Sequence, residues 1–259
     1  MICDDILLSP ARNRFHSCGF PAAVVHALPL FASEILVTAE SKRGTDLLCA
    51  FLSSARRQEL AHEHLADLQK SGITHATIRA QRICSVPREA IEPLLGFTLA
   101  GIRSGMLIPF PDPEGGFMPH IRIKLFPVLV DRGGHSVKYL QPRGSGVRLF
   151  FPLQTLDAAL NGGVPVWLIE GEKKALAVAQ LGLPSVGFCG IHGWHSGGSR
   201  RLLTDFDHIC LTDRLVELVP DGDWQTNEYV ARGAEQLADA LAVRGARVRI
   251  VRLPLEIDQ

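Results

Sequence analysis

The spacing of apolar and polar positions changes character along the chain. Between residues 105 and 151, MLIPF, HIRIKLFPVLV, VKYL and VRLFF form short β-rich runs, separated by PDPEGG, DRGG and PRGSG. The separators carry the Pro, Asp and Gly that turns require, so this region predicts a small antiparallel or mixed sheet. Within HIRIKLF, Arg122 and Lys124 are two apart. A strand there buries Ile121, Ile123 and Leu125 on one face and presents the two cations on the other.

From about Val164 the period alternates between strand and helix. VWLI reads as a strand, Glu172 to Leu181 as a helix stopped by Gly182, SVGFCG as a second strand and VELVP as a third. Asn227 is a suitable N-cap for a helix that places Val230, Ala234, Leu237, Ala238 and Leu241 on one face. Gly245 ends that helix and VRIVRL supplies a fourth strand. Such βα alternation predicts a parallel sheet with covering helices. Upstream, Ser54 to Ser71 reads as a helix with Leu60, His64, Leu65 and Leu68 near one face and Gly72 as its stop. The expected division is a poorly defined segment 1–60, an α+β subdomain 61–160 and an α/β domain 161–259, with a soft boundary at DAALNGG.

Composition narrows the class. The chain has 259 residues, 46% of them hydrophobic, enough for one large or two small cores. Its 27 basic and 27 acidic residues balance, so no global field gathers polyanions; the local distribution matters more. Arg122, Lys124, Arg132, Lys138, Arg143 and Arg148 share a stretch whose sole acid is Asp131. Six cysteines without a CxxC pair argue for a reducing compartment. MICDDILLSP lacks the basic start of a signal peptide, and the apolar run at 20–38 is broken by Pro21, His26, Pro29 and Glu34. A cytoplasmic protein with no membrane contact is expected.

The chemistry concentrates where apolar strands meet acids. In an open α/β sheet, sites form beyond the carboxyl ends of the strands. Glu170 follows VWLI, and Asp221 follows VELV. Neighbouring strands lie about 4.8 Å apart, so both carboxylates reach a shared cation if their strands are adjacent. Asp223, two beyond Asp221, projects to the same side if the chain is extended. Three converging carboxylates repel unless a cation neutralises them, and hard oxygen ligands suit Mg²⁺ (or Mn²⁺). Acids are also common after strands simply because strands end at the surface, and Glu172 reads only as favouring its helix terminus.

Other patterns remain open. Cys189, His192 and His195 in CGIHGWH have a spacing that suits zinc, with His208 or Cys210 as a fourth ligand, but no paired-ligand pattern supports it. Burial of Cys189 and packing of Trp194 over the sheet explain them as well. Lys173 and Lys174 either contact phosphate or are solvated helix residues. RGSG at 143–146 either cradles a phosphate or is a turn, and GGSRR at 197–201 is either a basic loop beside substrate or plain surface.

Glu170-Gly171 after a strand, the glycine-bearing strand ending at Gly190, and Asp221-x-Asp223 after a third together resemble the TOPRIM domain of primases, topoisomerases and nucleases. Upstream, GMLIPFPDPEGG, IRIK and VKYLQPRGSGVRLFFP are similar to the amino-terminal half of the bacterial replicative primase core. LADLQKSGI, KYLQP, EGEKKALA, GW, DGDW and RGARVRIVRLP resemble an uncharacterised primase-like TOPRIM family of phages and mobile elements, over roughly residues 64–254. The resemblance implies a TOPRIM fold with a central parallel sheet flanked by helices, behind a smaller primase-like α+β subdomain. It implies that Glu170, Asp221 and Asp223 are catalytic and hold Mg²⁺ or Mn²⁺, and that Arg122, Lys124 and Lys138 bind nucleic acid or nucleotide opposite them. Arg143 and Lys173 join that candidate set.

The expected function is primer synthesis by nucleotidyl transfer on a single-stranded DNA template with nucleoside triphosphates. Neither a zinc-binding domain before the core pattern nor a helicase-binding domain after it is expected, so the chain is read as one module of a larger replication protein or as needing a partner, with a helicase or other replication protein as the candidate. Two rivals stand beside this reading: a TOPRIM nuclease using the same acids, and a non-catalytic nucleic-acid-binding or replisome-docking module. With Tyr139 and Tyr229 as the only tyrosines, a topoisomerase is the weaker alternative.

Overall fold

A computed structural model of the chain describes residues 44–55, 59–197 and 200–252. Most of the segment expected to be ill-defined, 1–60, therefore lies outside the described residues. The described residues divide into two compact units: one is formed by those up to 67 together with 78–145, and the other by 68–77 together with those from 146 to 252.

The first unit is a four-stranded antiparallel sheet. Its strands are β1 (Cys84–Pro87), β2 (Ser104–Pro111), β3 (Phe117–Val130) and β4 (Ser136–Leu140), in the order β1-β2-β3-β4. Both expected turns close as their residues dictate. The Asp112 carboxylate accepts from Glu114 N at 2.9 Å. That of Asp131 accepts from Gly133 N and His135 N at 2.8 and 2.9 Å, which holds its pKa below the usual carboxylate value. Alternation in β3 is as expected, with Ile121, Ile123 and Leu125 buried between the half-buried Arg122, Lys124 and Phe126. Helices α1 (Gly44–Ser54) and α4 (Arg88–Leu95) pack on each other and on the sheet. Ala90, Ile91, Leu94 and Leu95 form the inward stripe of α4. Gly105 of β2 permits this approach: a Cβ there would lie 2.5 Å from Ile123 Cγ2 and 3.2 Å from Ile91 Cδ1.

Two sequence expectations are corrected. The helix expected over Ser54–Ser71 is shorter, running as α2 from His62 to Gln69, because residues 59 and 60 are not helical. Its His64 is fully buried for a polar reason as well as an apolar one. Ring Nδ1 lies 2.8 Å from Ser85 Oγ and Nε2 lies 3.0 Å from Ser104 Oγ, while Phe126 packs on the ring at 4.4 Å. VRLFF, in turn, is not a strand of this sheet. It belongs to the second unit, where Phe150 exchanges two backbone hydrogen bonds of 2.8 and 2.7 Å with Gly187 and covers the outer edge of that sheet. Its Leu149, Phe150 and Phe151 are buried, which is why the run is so apolar.

Burial of His64 lowers its pKa, outweighing the opposing influence of Glu63 and Asp67. A depressed folded-state value means that the unfolded chain takes up the proton first. The His64 contribution is therefore complete above the unfolded value of about 6.5 and is lost as pH falls through that value toward the folded one. Thermal unfolding across a pH series should show the midpoint falling below about pH 6.5, and His64→Gln should flatten that fall. An equal slope in the variant would show that other groups carry it.

The second unit is a parallel sheet in the order β6-β5-β7-β8. Its strands are β5 (Val166–Glu170), β6 (Ser185–Phe188), β7 (Leu215–Val219) and β8 (Arg247–Ile250). Helix α6 (Glu172–Ala179) follows β5, and α7 (Glu228–Val243) precedes β8. As expected, the Asn227 side chain caps α7 by accepting from Tyr229 N at 3.1 Å, and Ala234, Leu237 and Leu241 are buried. DAALNGG contains the short helix α5 (Leu156–Asn161). The buried Arg214 guanidinium donates to its last carbonyls, Ala158 O and Ala159 O, each at 2.6 Å, and to Val164 O at 2.8 Å. Helix α3 (His75–Ala80) begins in a segment, 72–77, that is tied to the end of α6 by Gln180. That side chain accepts from Thr74 N and the Thr77 hydroxyl and donates to Gly72 O.

Candidate active site at the carboxyl edge of the parallel sheet

β5 and β7 are adjacent, with Ile169 opposite Val219, so both chains leave the sheet side by side. Glu170 is the last residue of β5. Gly171 then turns the chain into α6 with φ +101°, a left-handed value that a side chain rarely adopts. Its amide donates to Phe188 O at 2.8 Å, so the turn is braced against β6. From β7, Pro220 leads to Asp221, whose backbone N–H donates to Glu170 Oε2 at 2.9 Å. The two acids expected to converge are thus joined directly.

The third acid is set differently from expectation. Residues Gly222–Gln225 form a 3-10 turn, closed by Trp224 N donating to Asp221 O at 3.1 Å. The chain from Asp221 to Asp223 is therefore not extended. The side chain of Asp223 lies outside the described residues.

The charges around the acids are arranged on α6. Lys174 forms an ion pair through Nζ with Asp221 Oδ1; the two side chains are 55% and 46% exposed. Lys174 is thus both solvent-exposed and ion-paired with one of the candidate acids. Its signal was present in the sequence as the fourth residue after Glu170, one helical turn along. Lys173 is half-buried beside it. Glu172, expected only to favour the helix terminus, is 4% exposed and belongs to the packed first turn of α6.

Carboxylate oxygens with a hydrogen-bonded neighbour suit a hydrated hard cation, which needs only one or two carboxylates plus substrate phosphate. Glu170 and Asp221 fit that mode. Among the described residues, no group of three or more His, Cys, Asp and Glu side chains is placed to cage a metal ion. That also bears on the zinc alternative. The rings of His192 and His195 are 6.1 Å apart, and Cys210 N donates to Leu160 O near Gly162. Trp194 is fully buried beneath this loop and packs edge-to-face on His195 at 4.5 Å. Burial, with His195 nearby, lowers the pKa of His192.

The candidate basic residues of the antiparallel unit separate by environment. The Arg122 guanidinium stacks over Tyr139 at 4.8 Å from the ring centroid. Lys124 also faces Tyr139, at 5.8 Å, and is ion-paired with Asp67. Tyr139 lies opposite Lys124 and Leu140 opposite Ile123, so Lys138 alternates to the face away from Tyr139. Arg143 is exposed, with its guanidinium 5.8 Å over Phe97 and its amide donating to Leu95 O at 2.9 Å. The RGSG segment is a turn, in which Ser145 N donates to Pro142 O at 3.1 Å.

Residues 158–259 match the model of a family described as a domain of unknown function, DUF3854. No curated protein matches the chain. Among solved structures, the zinc-binding and RNA polymerase domains of Aquifex aeolicus primase align at 16% identity with a TM-score of 0.55, covering 83% of this chain and 55% of that one. The chain thus spans little more than half of that structure. The RNA polymerase domain of Mycobacterium tuberculosis primase DnaG aligns at 15% identity and TM-score 0.55, covering 88% and 78%. A DnaG primase catalytic domain bound to ssDNA aligns at 20% identity and TM-score 0.51, covering 83% and 73%. The parallel sheet with its flanking helices has the fold of bacterial primase catalytic cores, as the TOPRIM resemblance implied.

Proposed function

We propose that the chain is a primase-like nucleotidyltransferase that extends a primer on a single-stranded DNA template from nucleoside triphosphates. The observation that carries the reading is the Asp221 N–H to Glu170 hydrogen bond, which joins the acids of two adjacent strand ends. The primase-core fold supports the same reading, and one such core is described as bound to ssDNA.

Glu170, Asp221 and Asp223 would hold Mg²⁺ or Mn²⁺, which when bound supplies positive charge to neutralise phosphate oxygens and activate a hydroxyl. The chain's own groups do the rest. The Asp221 amide orients the Glu170 carboxylate, the braced turn at Gly171 fixes where that carboxylate leaves the sheet, and Lys173 and Lys174 offer cations to phosphate from α6. Arg122, with Tyr139 as its stacking partner, and Arg143 provide cations for the template or nucleotide backbone. Lys124, held by Asp67, shares the face of Arg122, whereas Lys138 alternates to the opposite face and would join this set only through a substrate that reaches both. A helicase or other replication protein is the partner this reading anticipates.

The test is incubation with single-stranded DNA, labelled ribonucleotides and Mg²⁺ or Mn²⁺. The expected product is a template-dependent labelled oligonucleotide. Shortening of a labelled strand instead would assign a nuclease, and strand binding with neither reaction would assign a docking module.

A further inference from the structure

Glu170 and Asp221 are both already partnered within the chain. Glu170 accepts from the Asp221 amide, and Asp221 is neutralised by the Lys174 ammonium. Lys174 is on the first turn of α6, immediately after the Glu170-Gly171 corner, so its Cα is fixed while its four-carbon stem stays flexible. Both partners of the ion pair are about half exposed, and an exposed pair of this kind is weak enough to exchange. A hard divalent cation seeks the same Asp221 oxygens, and two cations cannot share them without repulsion. Once displaced, the ammonium loses its counter-charge and gains a new one only from an anion that arrives with the cation. A cation held by one or two carboxylates completes its shell with substrate phosphate.

We infer that Lys174 is a tethered counter-ion: it occupies Asp221 until a divalent cation takes that carboxylate, and it then pairs with a phosphate of the incoming nucleotide. This rests on the metal-dependent reading above. It assigns Lys174 a positioning role by which cation and phosphate each favour binding of the other. The ammonium withholds a carboxylate from metal alone and adds a contact to phosphate when both are present.

The experiment titrates Mn²⁺ into the full chain without nucleotide, following free Mn²⁺ by electron paramagnetic resonance, for wild type, Lys174→Met and Lys174→Arg. Binding of a fluorescent nucleoside triphosphate at saturating Mg²⁺ is measured in parallel. Lys174→Met should bind Mn²⁺ roughly two- to fivefold more tightly, the strength of an exposed ion pair. It should bind the triphosphate roughly tenfold more weakly, having lost one charge-assisted contact. Lys174→Arg, which keeps the charge, should stay near wild type for Mn²⁺. Circular dichroism of each variant checks the fold. If wild type binds Mn²⁺ and Lys174→Met binds it equally or more weakly, the counter-ion role is overturned while the metal reading stands. If no form binds Mn²⁺, both fall.

Discussion

Asp221→Asn and Glu170→Gln should each lower nucleotide incorporation by roughly 10²–10³-fold or more while leaving the thermal midpoint close to wild type. An amide keeps the shape of the carboxylate and removes the charge. At position 221 the backbone N–H that reaches Glu170 is untouched by the change, so the β5–β7 corner keeps its hydrogen bond. At position 170 the amide oxygen still accepts from that N–H. What both variants lose is anionic oxygen for a hard cation. Asp223→Asn, on the 3-10 turn that follows, should behave in the same way. Incorporation and unfolding are to be measured on the same preparations. Wild-type activity in a folded Asp221→Asn protein would remove the acids from the mechanism, and a large fall in melting point would recast them as structural.

The largest effect on stability is expected at Asp205, a residue outside the candidate site. Its carboxylate is 2% exposed and takes Arg148 Nε at 2.9 and 3.0 Å, an Arg148 terminal nitrogen at 2.8 Å and the Leu149 backbone N–H at 2.7 Å. This network fastens the start of the VRLFF segment to the 3-10 turn Thr204–His208. The same segment covers the outer edge of β6 through Phe150 and Gly187. Asp205→Ala leaves the Leu149 amide without its acceptor and Arg148 without its counter-charge. Arg148 is 36% exposed and can turn to solvent, so the cost is mainly that of the buried Leu149 amide left without its acceptor, about 1–3 kcal/mol, which lowers the melting point by roughly 5–10 °C in a domain of this size. Asp207→Ala is the internal comparison. Asp207 pairs with Arg244 at 2.7 Å, but both side chains are well exposed, so its loss should change the melting point little. Equal effects at the two positions would mean that burial of the Asp205 network does not govern stability here.

Local rules made much of the fold legible. The parallel unit was readable because a strand ending in Glu-Gly, a helix stopped by Gly182 or Gly245 and an Asn227 cap are each decided by residues a few positions apart. Alternation in HIRIKLF likewise gave the buried and exposed faces of β3, because a strand repeats every two residues. The two acids after apolar strands were legible as a candidate site because sites in an open sheet form beyond its strand ends.

Tertiary structure decided what depends on partners distant in sequence. VRLFF has the composition of a strand, but its partner is Gly187 at the edge of the parallel sheet in its own unit, and no local pattern specifies a partner. Lys138 and Lys124 look alike in sequence, and only the pairing of Tyr139 with Lys124 separates their faces. Whether β5 and β7 were neighbours, and so whether Glu170 and Asp221 could meet, was a matter of strand order, 6-5-7-8, which the sequence of elements does not contain. The pairing of Lys174 with Asp221, 47 residues apart, follows from that order. Backbone conformation is settled by short-range sterics and capping, whereas charge pairing is settled by which strands lie side by side. Residues therefore announced the chemistry available to this protein, and the order of its strands determined which charges meet.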